Sequence, residues 1–214
     1  GGWLEGCGIR SYENIRADIE EALANSNVSA ILLDIDSGGG ECAGLFDLAD
    51  WLIEAGKQKP IYAFSHDAAF SAAYAIASCA RKLYVAQAGG VGSIGVVAVH
   101  YDCSGANQKA GIVVTPIYAG DKKVDGWPHA PLSDSAKQDF QREINSTYDL
   151  FVGLVSRNRG LSEDEVRATQ AGCFTAKDAV ANKLADQIAG FDQVINEIFS
   201  DLESGNQSSG LSAL

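Results

Sequence analysis

The stretch that decides the fold is Val28-Ser29-Ala30-Ile31-Leu32-Leu33-Asp34-Ile35, which leads into the cluster Ser37-Gly38-Gly39-Gly40. Its first eight residues are almost continuously apolar, which is typical of a strand covered on both faces. The glycines end this strand, and residues 45–53 then show the spacing of an amphipathic helix. Such a strand, turn and helix predict an open α/β sheet that binds ligands beyond the carboxyl ends of its strands.

The same alternation of strands and helices continues along the chain. Further strands are predicted over residues 61–65, 82–86, 95–101 and 112–118. Helices are predicted over residues 12–23 behind a cap at Ser11, from near Ser71, and along a stripe formed by Ala136, Phe140, Ile144, Tyr148, Phe151 and Val155. Short helices are predicted from there to about residue 202. Alternation of this kind implies right-handed crossovers and a mainly parallel sheet.

The domain organisation follows from this order of elements. We predict one α/β domain over residues 1–203, with a helical region from about residue 133. Residues 204–214 have the composition of a linker or a disordered tail. The sequence contains no methionine, so we expect it to be a fragment of a longer protein.

The composition argues against several classes of protein. A net charge of −12 argues against nucleic acid as a partner, because phosphate binding needs clustered basic residues. Five scattered cysteines without a C-x-x-C pair, and three histidines without ligand spacing, indicate neither a disulfide framework nor a metal site. We expect no cofactor. No stretch approaches the ~18 apolar residues of a membrane span, so we expect a soluble protein.

A serine that follows a predicted strand is the candidate nucleophile. Ser71 lies among small residues that let a substrate backbone approach closely. The amides of Gly39 and Gly40, at the end of another strand, are candidate donors to an oxyanion. The alternative interpretations are a plain strand-to-helix turn for the glycines and a helix N-cap for the serine. Four other serines have equal claims to structural roles: Ser65, Ser78, Ser93 and Ser104.

A lysine in a polar loop is the candidate base. To act as one, Lys123 must be neutral near pH 7, which requires its pKa to fall from about 10.4 to roughly 7–8 in a dry site. Trp127 and residues 113–118 of the predicted strand are candidate walls for that site. The adjacent Lys122 is a competing candidate that spacing alone does not exclude.

The histidines provide the rival base for a Ser-His-Asp triad. His66 lies only five residues before Ser71 and would need an unusual loop to reach its hydroxyl. We interpret His66, His100 and His129 as structural or surface residues.

These motifs resemble the signal peptide peptidase A family, and within it the bacteriophage protein C branch of prohead proteases. The resemblance covers roughly residues 8–189. Four segments carry it: Ile31-Leu32-Leu33-Asp34-Ile35-Asp36-Ser37-Gly38-Gly39-Gly40, Ala69-Phe70-Ser71-Ala72-Ala73-Tyr74, Gly92-Ser93-Ile94-Gly95-Val96, and Ile117-Tyr118-Ala119-Gly120-Asp121-Lys122-Lys123-Val124-Asp125-Gly126. Two later segments, Arg159-Gly160-Leu161-Ser162 and Lys183-Leu184-Ala185-Asp186, resemble further family landmarks.

The resemblance implies a ClpP/crotonase-like fold and a Ser-Lys dyad. It places the nucleophile on Ser71 and the base on Lys123, with an oxyanion hole formed by the amides of Gly39 and Ala72. It also implies ring-shaped homo-oligomers in which the dyad is completed within one chain or between subunits. Two departures from the family pattern are Gly38, where proline is usual, and Ala72-Ala73, where many members have two glycines.

The function that the resemblance implies is a serine endopeptidase that cleaves scaffold or capsid proteins inside the phage prohead, in the host cytoplasm. The alternative within this class is a bacterial signal peptide peptidase. The alternatives from other classes are a crotonase-like acyl-CoA enzyme, which would need a more basic surface, and an inactive structural module. The expected substrate is an extended peptide that pairs with a strand edge.

Overall fold

The computed structural model describes residues 10–210, with side chains to residue 204. The helices are α1 (Tyr12–Ala24), α2 (Leu45–Ala55), α3 (Ala72–Ser78), α4 (Ser104–Lys109), α5 (Asp134–Arg159), α6 (Glu163–Ala168), α7 (Ala176–Ala181) and α8 (Phe191–Gly210). The strands are β1 (Ile31–Ser37), β2 (Ile61–Phe70), β3 (Lys82–Val85), β4 (Gly90–Gly92), β5 (Cys173–Thr175) and β6 (Gln187–Ile188). The chain divides into two compact units, one formed by residues up to Gly95 and from Leu150 onward, the other by Val96–Asp149.

The six strands form one sheet in the first unit. β1, β3 and β4 each pair with β2 in parallel, β6 pairs with β3 in parallel, and β5 pairs with β4 antiparallel. The mainly parallel sheet predicted from the sequence is therefore confirmed. The register places Ile31 beside Ile61 and Ser37 beside Ala69. The glycines that follow β1 and the serine that follows β2 thus emerge at the same edge of the sheet.

Burial around β2 explains why these elements form. Residues 61–65 of β2 are all buried, so this strand is covered on both faces. α2 buries an apolar stripe comprising Leu45, Leu48, Ala49, Leu52 and Ala55. Every residue of α3 is buried, and four of its seven residues are alanines. Small side chains let the backbone of α3 pack closely against its neighbours, and only Ser71 separates this helix from the carboxyl end of β2.

Two predicted strands are wrong. Residues 95–101 and 112–118 form no strand in the described structure, whereas β4 lies earlier, at Gly90–Gly92. Both segments have apolar residues, but a strand also requires a hydrogen-bonded neighbour, and among the described residues neither segment pairs with another strand. Their side chains are correspondingly open, with Val97 82% and Ile117 97% exposed.

The C-terminal region also differs from the prediction. α6 and α7 are short helices as predicted, but strands β5 and β6 lie among them and α8 extends over 20 residues. α8 reaches Gly210, inside the stretch for which the sequence predicts a linker or tail. The Ser204 hydroxyl donates to the carbonyls of Ser200 and Asp201, which satisfies polar groups within that helix. Residues 211–214 lie outside the described residues. No helix in the described part of the chain is both long enough and apolar enough to cross a bilayer.

A salt bridge ties the end of α5 to the sheet. The guanidinium of Arg159, whose side chain is 8% exposed, donates two hydrogen bonds to the carboxylate of Asp186, at 3.0 and 2.8 Å. Asp186 also accepts the backbone N–H of Leu83 at 2.7 Å, and the Arg159 Nε donates to the carbonyl of Lys183 at 3.0 Å. The two later segments that carry the family resemblance therefore meet in this bridge.

Loss of this bridge is expected to destabilise the protein in a pH-dependent way. Burial alone would raise the pKa of Asp186, but hydrogen bonds from Arg159 and Leu83 outweigh burial and hold the pKa below its ordinary value. Stability from a lowered carboxyl pKa is present above the unfolded-state pKa and is lost as the pH falls through the folded-state pKa. Arg159→Met should therefore lower the free energy of unfolding by about 1–2 kcal/mol at pH 7, after allowance for partial exposure, and by less near pH 3.

Urea unfolding at both pH values measures this effect. The matched control is Arg157→Met, because Arg157 makes an exposed ion pair with Asp50 at 2.6 Å and should contribute less than about 0.5 kcal/mol. Equal losses for the two variants, or a loss at Arg159 that does not change with pH, would contradict the assignment.

Candidate active site

Ser71 occupies a sharp turn between β2 and α3. Its backbone has φ 53° and ψ −123°, a conformation that costs a non-glycine residue about 1–3 kcal/mol. The turn is held by its own backbone bonds, since the N–H of Ser71 donates to the carbonyl of Gly92 at 2.8 Å and its carbonyl accepts from Ala75 at 3.0 Å. The Ser71 side chain makes no capping hydrogen bond to α3, so the N-cap interpretation is not observed. Strain of this kind is typical of a serine whose hydroxyl is presented to a ligand.

Gly39 lies directly against Ser71. Its φ is +120°, and a Cβ atom built on it would lie 2.7 Å from the Cβ and 3.2 Å from the Oγ of Ser71. The same Cβ would lie 3.1 Å from the carbonyl oxygen of Phe70. Glycine is therefore required here both by backbone conformation and by space. The structure thus brings together two of the residues that the sequence places in the site.

The donors predicted for the oxyanion flank the Ser71 turn. The amide of Gly39 donates to the Oγ of Ser37 at 3.2 Å, so a substrate oxygen that approaches this amide competes with a hydroxyl of the same chain. Ala72 is the first residue of α3, where an N–H has no acceptor within the helix. Gly39, Ser71 and Ala72 all belong to the first unit.

Lys123 lies in the second unit, within a run of turns. Its N–H donates to the carbonyl of Gly120 at 3.0 Å, and Gly120 has φ +93°. The side chain of Lys123 is exposed, and no described residue forms an ion pair or hydrogen bond with its amine. Residues 113–118 form no strand that could wall the amine, and Val113 is 90% exposed. Trp127 is half-buried and contacts the ring of His129.

Lys122 has a different environment from its neighbour. Its amine pairs with the carboxylate of Asp139 in α5, which also accepts a hydrogen bond from Arg142. The amine of Lys122 is therefore held in an ion pair, whereas no described residue pairs with the amine of Lys123.

The histidines all have structural partners. His66 Nδ1 lies 3.4 Å from the Asp34 carboxylate. Ser71 lies five positions further along the chain, and a strand advances about 3.3 Å per residue, which separates the imidazole from the serine. His100 Nε2 contacts the carbonyl of Ala130 at 3.3 Å, and His129 Nδ1 contacts the amide of Asn107 at 2.8 Å. This agrees with their interpretation as structural or surface residues.

Two side chains near the glycines were missed by the sequence analysis. In the sequence, Ser37 is marked only as the first residue of the glycine cluster, and Tyr12 only as the first residue of the predicted helix over residues 12–23. The Tyr12 hydroxyl donates to the carbonyl of Glu41 at 2.6 Å, across 29 positions of sequence. No local pattern marks such a contact, because it depends on how α1 packs beside the turn.

Solved structures with the same architecture define the fold. The chain superposes on an alanine variant of the 1510-N membrane-bound stomatin-specific protease with a TM-score of 0.59 and 14% identity, covering 86% of this chain and 76% of that one. It also superposes on an enoyl-CoA hydratase from Shewanella pealeana with a TM-score of 0.55 and 12% identity, covering 90% and 63%. The protein is therefore an α/β protein of the ClpP/crotonase-like fold, as predicted.

The sequence assigns the chain within that fold: it belongs to peptidase family S49, whose profile matches residues 54–203. It is 37% identical to the head-tail preconnector protein GP5 of Enterobacteria phage P21, over 95% of this chain and 41% of that protein. It is 34% identical to the capsid assembly protease C of Escherichia phage lambda, over 92% of this chain and 45% of that protein. The predicted family is confirmed, and the chain spans less than half the length of these two relatives.

Proposed function

We propose that this chain is the peptidase domain of a serine endopeptidase that cleaves scaffold or capsid proteins during phage head maturation. The observation that carries the proposal is the strained Ser71 turn with Gly39 packed against the serine side chain. A strained serine beside a close backbone amide suits attack on a carbonyl and stabilisation of the oxyanion that results. The similarity to a capsid assembly protease supports the substrate class and the prohead as its place of action.

The proposed reaction proceeds through an acyl-enzyme. The Ser71 Oγ attacks the carbonyl carbon of the scissile peptide bond while the amine of Lys123 takes the hydroxyl proton. The oxyanion accepts hydrogen bonds from the amides of Gly39 and Ala72. The C–N bond then breaks, and the leaving amine receives the proton from Lys123. Water, activated by the same lysine, hydrolyses the ester and restores Ser71.

The lysine base requires a drier environment than the single chain provides. Burial favours the neutral amine, but Lys123 is exposed in the isolated chain. The same unit exposes large apolar side chains on its two unpaired segments, among them Val97, Val113 and Ile117. Large exposed apolar side chains are a feature of surfaces that bind other proteins. We therefore place a second copy of the chain on these segments, in a ring-shaped homo-oligomer whose assembly covers the base.

A serine-directed fluorophosphonate tests the nucleophile. We expect one covalent adduct on the peptide that contains Ser71, together with cleavage of an unfolded protein substrate. Ser71→Ala should lose the adduct and at least about a thousandfold of kcat/KM, because nucleophile and base act as a unit. Mass spectrometry of the labelled peptides and a fluorescent peptide assay measure the two effects.

The control for this experiment is Ser26→Ala, since Ser26 is an exposed turn residue. This variant should label and cleave like the wild type. Turnover of an acyl-CoA thioester without labelling would point to a crotonase-like enzyme, and a folded chain with neither activity would point to a structural module.

A further inference from the structure

We infer that Tyr12 is a positioning residue that holds the glycine loop, residues 38–44, in the conformation that binds the oxyanion. The inference rests on the proposed function, because it assigns a role to Tyr12 in the same reaction. The glycine loop connects the end of β1 to the start of α2 and contains Gly39.

The glycine loop has little means of ordering itself. Four of its seven residues are glycines: Gly38, Gly39, Gly40 and Gly44. Glycine has no side chain to pack and loses more conformational freedom on ordering than any other residue. An amide that must point at a developing oxyanion needs a fixed backbone, so contacts from outside the loop have to supply the order.

Tyr12 supplies those contacts from α1. Its hydroxyl donates to the Glu41 carbonyl at 2.6 Å, and a Cβ on Gly40 would lie 3.3 Å from that hydroxyl. A Cβ on Gly44 would lie 3.6 Å from the Tyr12 ring. Within the described residues, Tyr12 and the adjacent Ser37 are the only residues outside the loop whose side chains hydrogen bond to its backbone. The loop is thus held by Tyr12, while Gly39 packs against Ser71.

Other contacts anchor α1 independently of the Tyr12 hydroxyl. The guanidinium of Arg16 lies 4.8 Å from the centre of the Trp51 ring in α2. The Lys59 amine donates to the carbonyls of Ala22 and Asn25, at 2.9 and 2.6 Å, near the end of the helix. Removal of the hydroxyl alone therefore leaves α1 docked. Burial also raises the pKa of Tyr12, so the hydroxyl remains a proton donor at neutral pH.

Loosening of the loop should act on the transition state more than on substrate binding. Glu41 lies two residues after Gly39. A hydrogen bond that fixes the Glu41 carbonyl therefore limits rotation of the loop backbone that carries the Gly39 amide. A donor that is misdirected part of the time stabilises the oxyanion less, which lowers kcat. Binding of the extended substrate elsewhere is unaffected, so KM should change little.

The isosteric variant Tyr12→Phe tests the inference. We expect kcat to fall about 3- to 10-fold with KM within about twofold, which is the loss of one hydrogen bond. Hydrogen–deuterium exchange should be faster in peptides that cover residues 38–44. The matched control is Tyr62→Phe, which loses one tyrosine hydrogen bond, to Asp201 at 3.3 Å, at the opposite end of β2. The control should keep wild-type kcat and wild-type exchange in the loop.

The outcomes separate this inference from the proposed function. A wild-type protein without peptidase activity overturns the proposed function. In that case, hydrogen–deuterium exchange of residues 38–44 in Tyr12→Phe still decides whether Tyr12 holds the loop. An active wild type with unchanged kcat and unchanged exchange in Tyr12→Phe overturns the inference alone. A loss of kcat matched by Tyr62→Phe, with equal falls in melting temperature, shows a merely structural role and also overturns it.

Discussion

Replacement of Lys123 by alanine is expected to lower kcat/KM about a thousandfold, whereas replacement of Lys122 should change it less than about threefold. A general base contributes roughly 10²- to 10⁴-fold to a reaction of this type. The proposed base is Lys123, whose amine has no counter-charge among the described residues. Lys122 already pairs with Asp139, so its amine is held in an ion pair within the second unit. Steady-state cleavage of a peptide substrate measures both variants at equal protein concentration.

Replacement of each lysine by arginine gives a second comparison of Lys122 and Lys123. Arginine keeps its proton at all accessible pH values, so Lys123→Arg should be as inactive as Lys123→Ala. Lys122→Arg should remain active, because arginine can still pair with Asp139. Activity that survives Lys123→Ala but is lost in His66→Ala would instead identify an imidazole base.

A mixture of two inactive variants distinguishes the two arrangements of the dyad. Ser71→Ala chains retain the proposed base, and Lys123→Ala chains retain the proposed nucleophile. Restored activity on mixing shows that the two groups meet between copies of the chain. Activity that stays absent after mixed oligomers have formed shows that each chain completes its own dyad.

The part of the fold near the nucleophile was predictable because its signals are local. An apolar run followed by glycines identifies β1 and its turn, and apolar residues at helical spacing identify α2. Ser71 follows β2 in the same way that the glycines follow β1. Parallel strands end at one edge, so the sequence alone places these residues together.

The two wrong strand predictions concern segments whose structure depends on a neighbouring strand. Residues 95–101 and 112–118 have the composition of strands, but a strand exists only when a neighbour takes its hydrogen bonds. The sequence also gives no signal for the strained backbone of Ser71, because serine rarely adopts a positive φ. The contact from Tyr12 to Glu41 and the ion pair from Lys122 to Asp139 each join distant positions, so no spacing rule detects them.

The second large effect is expected at Gly39. Gly39→Ala should lower kcat/KM about 10²- to 10³-fold, which is the cost of losing one oxyanion donor. The new Cβ would lie 2.7 Å from the Ser71 Cβ and 3.1 Å from the Phe70 carbonyl, and alanine disfavours φ +120°. Either the loop or the serine must shift. The free energy of unfolding should also fall by about 1–3 kcal/mol.

Gly38→Ala is the matched control within the same loop. No heavy atom lies within 4 Å of a Cβ built on Gly38, and its φ lies outside the positive region. Alanine there should keep most of the activity and leave stability unchanged or raised by about 0.4–1 kcal/mol, since it restricts the unfolded chain. Peptide cleavage, fluorophosphonate labelling and urea unfolding compare the two variants. Equal losses of activity and stability in the two variants would show that the loop tolerates a side chain at neither position. Contact with Ser71 would then not explain the glycine at position 39.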